Sequence, residues 1–373
     1  MPPLSRTDNS LLGRWWWTVD RWTLSAVGLL ICLGFVMMQA ASPAVAERIG
    51  SASRDMFIFK QIFFLLLAGL VTIGVSMLSP RNIKRLAIVG GIVALALTMA
   101  TMLVGTEIKG ARRWISLPGM SVQPSEFLKP CFAVAAAYLI AQWQRRRRYG
   151  GIIGAAAIFA VIAVLLMKQP DVGMMAVITL VFLTQLYIGG LHLALMFLGA
   201  GAAGGGAVLA YLMSDHVRGR VEKFWYGTGD HYQVDTSMEA FGNGGLFGRG
   251  PGEGRVKDVL PDAHADFVFA VTGEEFGMIL CLIIVAIFGF VVLRGLLRLL
   301  REHDPFLVLA CTGLVAGFGL QAFVNMASTM ALIPTKGMTL PFISYGGSSV
   351  IAVALGMGML LGLTRRRTRE EGS

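Results

Sequence analysis

Apolar residues run along the chain in ten blocks of 18 to 27 residues, long enough for helices that cross a bilayer core. The blocks lie at 22–41, 57–78, 84–105, 124–143, 151–168, 171–190, 192–213, 267–293, 306–331 and 342–363. Short turns separate them, Lys168-Gln169-Pro170-Asp171 being the only break between the fifth and sixth. One gap is different in kind. Residues 214–266 form a long, polar, glycine-rich stretch that ends in Leu260-Pro261-Asp262-Ala263-His264-Ala265-Asp266. The pattern predicts an all-α polytopic membrane protein of about ten transmembrane helices, with a large loop between helices 7 and 8. Residues 1–21 then form an interfacial N-terminal segment, 22–363 the membrane domain and 364–373 a basic tail.

Composition agrees: 55% of residues are hydrophobic, only 14% are charged and the mean hydropathy is +0.68, which excludes an ordinary soluble domain. Ala44-Val45-Ala46 resembles a signal-peptide cleavage site, but the first block is too long for a signal core and nine more follow. Cys32, Cys131, Cys281 and Cys311 all fall inside apolar blocks, which suggests neither a disulfide framework nor a zinc motif.

Ten spans put both termini on one side, and short basic clusters choose the side. With the termini cytoplasmic, that face carries 17 of the 32 Lys and Arg residues and six of the 22 acids, a net charge of +11 against −1 outside. The basicity is therefore an inner-leaflet anchoring pattern and needs no nucleic acid. Trp15-Trp16-Trp17 with Arg14 and Arg21 reads as an interfacial aromatic anchor. The large loop becomes extracytoplasmic. Several charges lie at the outer ends of spans against the topological bias, including Lys109, Arg112, Arg113, Lys129, Lys168 and Lys336, interleaved with Glu107, Glu126, Asp171, Asp266, Glu274 and Glu275. A two-signed set at one face fits a polar cavity that opens outward, although solvated loop charges account for part of it.

Four stretches carry candidate chemistry. Gly110-Ala111-Arg112-Arg113-Trp114-Ile115 leads into Gln123-Pro124-Ser125-Glu126-Phe127-Leu128-Lys129. Pro124 and Glu126 suit a helix start, and Glu126 and Lys129 share a helix face, either as an internal salt bridge or as cavity lining. Gln169-Pro170-Asp171 reads as another helix start. The run from Gly242 to Gly254 lacks the flanking strand and helix of a phosphate loop, yet its backbone N–H groups can turn toward an anion, with Arg249, Arg255 and Lys257 adding charge. Asp262, His264 and Asp266 alternate, so an extended segment would project all three the same way, a set able to bind a divalent ion. Asp266 opens the eighth block, where it is either an N-cap or a functional ionisable group. Glu274 and Glu275, roughly 12 Å farther along that helix, should face the bundle interior or a partner. Gly199–Gly206 reads as a close-packing run.

Ile333-Pro334-Thr335-Lys336-Gly337-Met338-Thr339-Leu340-Pro341-Phe342-Ile343-Ser344-Tyr345-Gly346-Gly347-Ser348-Ser349, taken with the Gly110, Gln123, Gln169, Gly244-Gly245 and Leu260 motifs, resembles the SEDS family of bacterial cell-wall proteins over nearly the whole chain. Pro334-Thr335-Lys336-Gly337 and the tryptophan-rich N-terminus resemble the division branch more than the elongation branch. Gly254 departs from the pattern, since many relatives carry Ser there.

The resemblance implies a peptidoglycan glycosyltransferase of the inner membrane, polymerising lipid II on its periplasmic face with a class B penicillin-binding protein and other divisome membrane proteins. The family's essential aspartate falls on Asp266, the expected general base. Its cavity charges fall on Arg112, Glu126, Lys129 and Lys336, and Arg249 and Lys257 are further expected substrate contacts. A divalent cation, Mg or Mn, is an expected aid to diphosphate departure. The rival readings are a lipid II flippase, an elongation-type polymerase and a noncatalytic division scaffold.

Overall fold

The computed structural model describes residues 10–48, 56–108, 111–117, 120–146, 149–213, 215, 218, 219, 222, 232–260, 262–334 and 337–366. An N-terminal helix α1 (Leu11–Thr18) precedes α2 (Arg21–Arg48), α3 (Met56–Ser76) and α4 (Pro80–Val104). Strands β1 (Thr106–Ile108), β2 (Ala111–Leu117) and β3 (Met120–Val122) follow, then α5 (Ser125–Arg146), α6 (Gly150–Lys168), α7 (Val172–Ile188) and α8 (Leu193–Met213). Within the large polar loop lie α9 (Tyr232–Gly244) and α10 (Val256–Val259), and beyond it come α11 (Val268–Leu299), α12 (Pro305–Thr329) and α13 (Gly347–Leu363).

Each of the ten apolar blocks holds one of the helices α2 to α8 and α11 to α13, and the polytopic helical fold follows. The starts obey local chemistry. Ser79 accepts the Asn82 N–H before Pro80, Asp171 accepts the Met174 N–H at 3.1 Å, and Asp304 accepts the Phe306 N–H before Pro305. Among the described residues, six helices (α2, α3, α4, α6, α11 and α12) are long and apolar enough to cross a membrane, while α7, α13 and the Gly204–Met213 part of α8 are shorter apolar helices. Helix α5 keeps its charges because it sits inside the bundle, against α4, α6, α12 and α13. Buried amides stand in for water there: Gln185 donates to the carbonyls of Ala133 (2.7 Å) and Leu309 (3.0 Å), tying α7 to α5 and α12.

Three features depart from the sequence expectation. The three strands form a small antiparallel sheet in the order β1-β2-β3, pairing Glu107 with Arg112 and Ile115 with Val122. The tenth helix starts five residues late. Phe342 adopts φ 64°, and Ser344 Oγ accepts the Leu340 N–H at 2.8 Å, so residues 342–346 form a turn. Trp15 is buried, not interfacial: its indole N–H donates to Ser76 Oγ at 2.8 Å and its ring packs on Leu361. Arg21 lies over the rings of Trp16 and Trp17, as an anchor would.

Helix α11 is broken. Gly277 takes φ 81°, ψ 176°, splitting the element after its first turns. The glycine-rich loop repairs the break with its own backbone. Arg249 N–H and Gly250 N–H donate to the carbonyls of Glu274 (2.9 Å) and Glu275 (3.0 Å), and Met278 N–H donates to the Gly245 carbonyl (2.9 Å). A Cβ at position 277 would collide with Gly248 N and Leu246 O, so only glycine fits. Non-helical backbone at membrane depth is tolerated when protein satisfies it in this way.

One face of the bundle gathers the two described ends of the chain. Arg366 N–H donates to the Thr18 carbonyl at 3.0 Å. The buried carboxylate of Asp20 takes two hydrogen bonds of 2.8 Å from Arg294 and lies 3.1 Å from Arg298, fastening the start of α2 to the end of α11.

Candidate active site

At the opposite end of α11 a cavity of about 1010 Å³ opens between the helix starts and the β-sheet. Helices α5, α7, α11 and α13 all begin at its wall: Gln123, Glu126, Asp171, Met174, Phe267 and Gly347 line it. Asp171 caps α7, whereas α11 and α13 have no side-chain cap. The positive ends of two uncapped helix dipoles thus point at the space.

Asp266 lines this cavity and is partly buried. Residues 262–266 are a tight turn, not the extended segment expected: Asp262 has φ 55°, and its carbonyl accepts the N–H groups of Ala265 (2.9 Å) and Asp266 (3.0 Å). The turn brings Asp262 and Asp266 to one wall and sends His264 elsewhere, its ring 5.2 Å from that of Tyr345. The N-cap position falls on Phe267, so capping is not the task of Asp266. The Asp266 backbone is held from α12, where the buried Asn325 side chain donates to the carbonyls of Asp266 (2.9 Å) and Met338 (2.6 Å). Tyr345 N–H adds a bond to the His264 carbonyl at 2.9 Å. Among the described residues, no group of three or more His, Cys, Asp or Glu side chains is placed to hold a metal ion. The Asp262, His264 and Asp266 set that alternation would allow in an extended segment is not assembled.

The expected cationic contacts divide. Lys336 lies outside the described residues. Arg112 points outward, half exposed, with its Nε 3.4 Å from Glu107, while alternation along β2 turns Arg113 inward. Arg113 Nη1 lies 3.5 Å from Asp171 Oδ2, and the same guanidinium donates to the carbonyls of Gln169 (2.7 Å) and Pro170 (2.6 Å). Glu126 reaches the cavity, but Lys129 is turned behind it: Lys129 Nζ is 2.7 Å from Glu126 and donates to Gln321 Oε1 at 2.6 Å. Gln321 in turn donates to the Thr339 carbonyl at 3.0 Å, linking α5, α12 and the segment before α13.

Arg249 and Lys257 are not in the cavity wall. Lys257 is buried, 2.6 Å from Glu275 Oε1, and donates to the carbonyls of Gly252 (2.9 Å) and Ala40 (3.1 Å). Arg249 donates to Asn243 Oδ1 at 2.9 Å and lies 3.9 Å from Glu274. The loop's N–H groups do turn toward anions, and these are the chain's own carboxylates. Glu274 accepts from Arg255 N–H (3.1 Å) and Val256 N–H (3.0 Å), and Glu275 accepts from Gly252 N–H (2.8 Å). Both acids are fully buried, on the interior side of the two alternatives. A Cβ at Gly254 would come 2.8 Å from Glu274 Oε2, which is why glycine suits this position here.

Lys60 is the residue the sequence reading passed over. It is the one ionisable group inside the block 57–78, and it lines the same cavity. Among the described residues no carboxylate is within salt-bridge reach of it. Asn325 gave no signal at all, since an amide inside an apolar span could serve any helix contact.

Comparison with known proteins agrees with this architecture. The "Probable peptidoglycan glycosyltransferase FtsW" of Caulobacter vibrioides (strain NA1000 / CB15N) is 41% identical over 370 residues, covering 99% of this chain and 95% of its own. That of Geobacter sulfurreducens (strain DL-1 / KN400) is 35% identical over 352 residues, covering 90% and 92%. Among solved structures, a chain from a study of structural coordination of polymerization and crosslinking by a peptidoglycan synthase complex superposes with a TM-score of 0.77 at 25% identity, covering 93% of this chain and 97% of that one. The Thermus thermophilus rod shape determining protein RodA gives 0.68 at 25% identity, covering 94% and 97%. The model described as cell cycle protein (FtsW, RodA, SpoVE) matches residues 21–369, and the chain belongs to this family, the SEDS family that its motifs resemble.

Proposed function

We infer that this chain is a peptidoglycan glycosyltransferase of the FtsW type, polymerising lipid II into septal glycan strands. The observation that carries the reading is the placement of Asp266: a carboxylate held by its backbone at the wall of a large cavity that Lys60, Arg113 and two uncapped helix starts also line. A lipid-linked diphosphate sugar needs a carboxylate near the acceptor hydroxyl and positive charge near the leaving group, and one cavity offers both. Both named relatives are described as probable peptidoglycan glycosyltransferases, which supports the reading.

In the reading we favour, the Asp266 carboxylate takes the proton from the acceptor 4-hydroxyl. The freed oxygen attacks the donor anomeric carbon from the face opposite the diphosphate, the bond from that carbon to the diphosphate oxygen breaks, and the lipid diphosphate leaves with the electron pair. The configuration inverts. Lys60 and Arg113 are the described side chains closest in chemistry to what the departing diphosphate needs, and the N-termini of α11 and α13 line the same cavity. Glu126 and Lys129 hold the wall: their pair fixes the first turn of α5 and, through Gln321, the segment leading to α13.

The charge asymmetry of the loops supports cytoplasmic termini and a periplasmic cavity in a bacterial inner membrane. A class B penicillin-binding protein is the fitting partner, since polymerised strands need crosslinks and a structurally similar chain belongs to a peptidoglycan synthase complex. Purified full-length protein, its penicillin-binding partner and fluorescent lipid II should yield a ladder of glycan chains sensitive to muramidase. Lipid II crossing vesicle membranes without any such ladder would favour the flippase reading instead.

A further inference from the structure

The face that carries both described ends of the chain holds a second cavity, of about 830 Å³, far from Asp266 along α11. Arg294, Arg298, Arg301, Arg365 and Arg366 line it, with Glu302 as the one carboxylate among the described lining residues. An adjoining hollow of about 510 Å³ shares Arg294, Arg298 and Arg366 and adds Arg21 and Asp20. Loop-end arginines ordinarily splay into solvent, but two of these are fixed. Asp20, itself 2% exposed, holds Arg294 and Arg298 side by side through bonds of 2.8 Å and 3.1 Å, while their own side chains stay 30% and 25% exposed. Arg298 is further pinned to the Thr364 carbonyl at 2.9 Å. A buried carboxylate thus orients two guanidinium groups whose outer edges face the cavity, and the remaining arginines leave it strongly cationic.

The other wall is apolar and follows a helical period. Phe290, Leu293, Leu297 and Leu300 occupy one stripe of α11, all four well exposed, next to the stripe Arg294, Arg298 and Arg301. In a membrane-spanning helix such a stripe faces acyl chains. A cation-lined hollow continuous with a lipid-facing strip matches a phosphate-bearing amphiphile better than a soluble anion.

We propose that this cavity is a binding site for the headgroup of an anionic phospholipid, the phosphate held by Arg294, Arg298, Arg301 and Arg366 and the acyl chains lying along Phe290, Leu293 and Leu297. The site is separate from the polymerisation cavity and does not depend on that assignment. Occupancy joins α11 and the segment that follows α13 through one ligand.

The test is native mass spectrometry of the full-length protein, released from nanodiscs containing equal phosphatidylglycerol and phosphatidylcholine. Wild type should retain phosphatidylglycerol preferentially. R301Q/R366Q, which leaves the Asp20 pairs intact, should weaken retention about tenfold, the effect of removing two charge-assisted contacts. R301K/R366K should keep most of it, and an unchanged melting curve for both variants separates lost binding from lost folding. Equal retention of both lipids by wild type, or preference undiminished in R301Q/R366Q, overturns the proposal. Displacement of the lipid by millimolar glycerol phosphate or inorganic diphosphate assigns the site to a soluble anion and overturns the lipid assignment.

Discussion

The side-chain amide of Asn325 donates to the backbone carbonyl of Asp266 at 2.9 Å, from a position on α12 that is fully buried. The same amide reaches the Met338 carbonyl at 2.6 Å, so one side chain sets the spacing between the turn that carries Asp266 and the segment that closes the cavity over it. Asn325→Ala leaves two buried carbonyls without that donor, an expected loss of about 1–3 kcal/mol in stability. The larger effect should be on catalysis: a carboxylate displaced by an ångström lowers turnover by up to about a hundredfold. Initial rates of glycan formation at saturating lipid II should fall while the apparent KM changes little. A melting shift with unaltered turnover would reduce Asn325 to a structural role.

Lys60 and Arg113 share the cavity with Asp266, but their situations differ. Arg113 is engaged with Asp171 and two backbone carbonyls, so Arg113→Gln should lower both stability and rate. Among the described residues Lys60 has no ion-pair partner for Lys60→Met to strand. The substitution should preserve the melting temperature and cut kcat/KM for lipid II by about 10- to 100-fold, the scale of one lost charge contact to a leaving group. A measured kcat/KM within twofold of wild type would remove Lys60 from the account.

The hydrophobic pattern was sufficient for the ten helices because burial in lipid demands long apolar runs whatever the tertiary contacts. It was insufficient for the site, where direction decides. Arg112 and Arg113 are neighbours of one composition, and only the pleat of β2 tells which faces inward. Lys129 and Glu126 were correctly paired by helical spacing, yet the same pairing draws Lys129 away from the cavity. Arg249 and Lys257 were read as charges awaiting an anion because their partners, Glu274 and Glu275, belong to a helix entered later in the chain. The alternation of Asp262, His264 and Asp266 misled for a similar reason: the left-handed Asp262 closes a turn that no side-chain periodicity announces.

The buried pair Lys257–Glu275 at 2.6 Å fastens the glycine-rich loop to α11 and, through the Ala40 carbonyl, to α2. Removing one charge strands the other in the interior, so Lys257→Met should cost about 3–5 kcal/mol. Lys257→Met combined with Glu275→Gln removes both charges and keeps an acceptor for the Gly252 N–H, and it should recover much of that loss. Thermal unfolding of the two variants at one scan rate checks the ordering.

Gly277→Ala attacks the broken helix itself. Its backbone conformation and its contact with Gly248 and Leu246 leave no room for a methyl group. The variant should undock the loop, seen as new protease cleavage between residues 242 and 260, with polymerisation lost together with protection.

Asp20 gives a pH signature. Burial alone would raise its pKa, but hydrogen bonds from Arg294 and Thr23 and the charges of Arg298 and Arg294 outweigh it, and the carboxyl titrates below its ordinary value of 3.8. A depressed folded-state pKa stabilises the protein above the unfolded value, and that contribution is lost as the pH falls through the folded value. Asp20→Asn should therefore lower the melting temperature at neutral pH, by about 2–3 kcal/mol in free energy for two guanidinium groups left unpaired. The gap to wild type should close as the pH drops below the ordinary aspartate range.

Everything catalytic rests on the Asp266 carboxylate, and the most direct measurement is glycan polymerisation by Asp266→Asn in complex with its penicillin-binding partner, alongside lipid II binding and melting temperature. The substitution removes the base but keeps the size, and the backbone bonds from Asn325 are untouched. Binding and melting should match wild type while glycan synthesis falls by at least about a hundredfold. Chains made at the wild-type rate by the folded, lipid-binding variant would contradict the account.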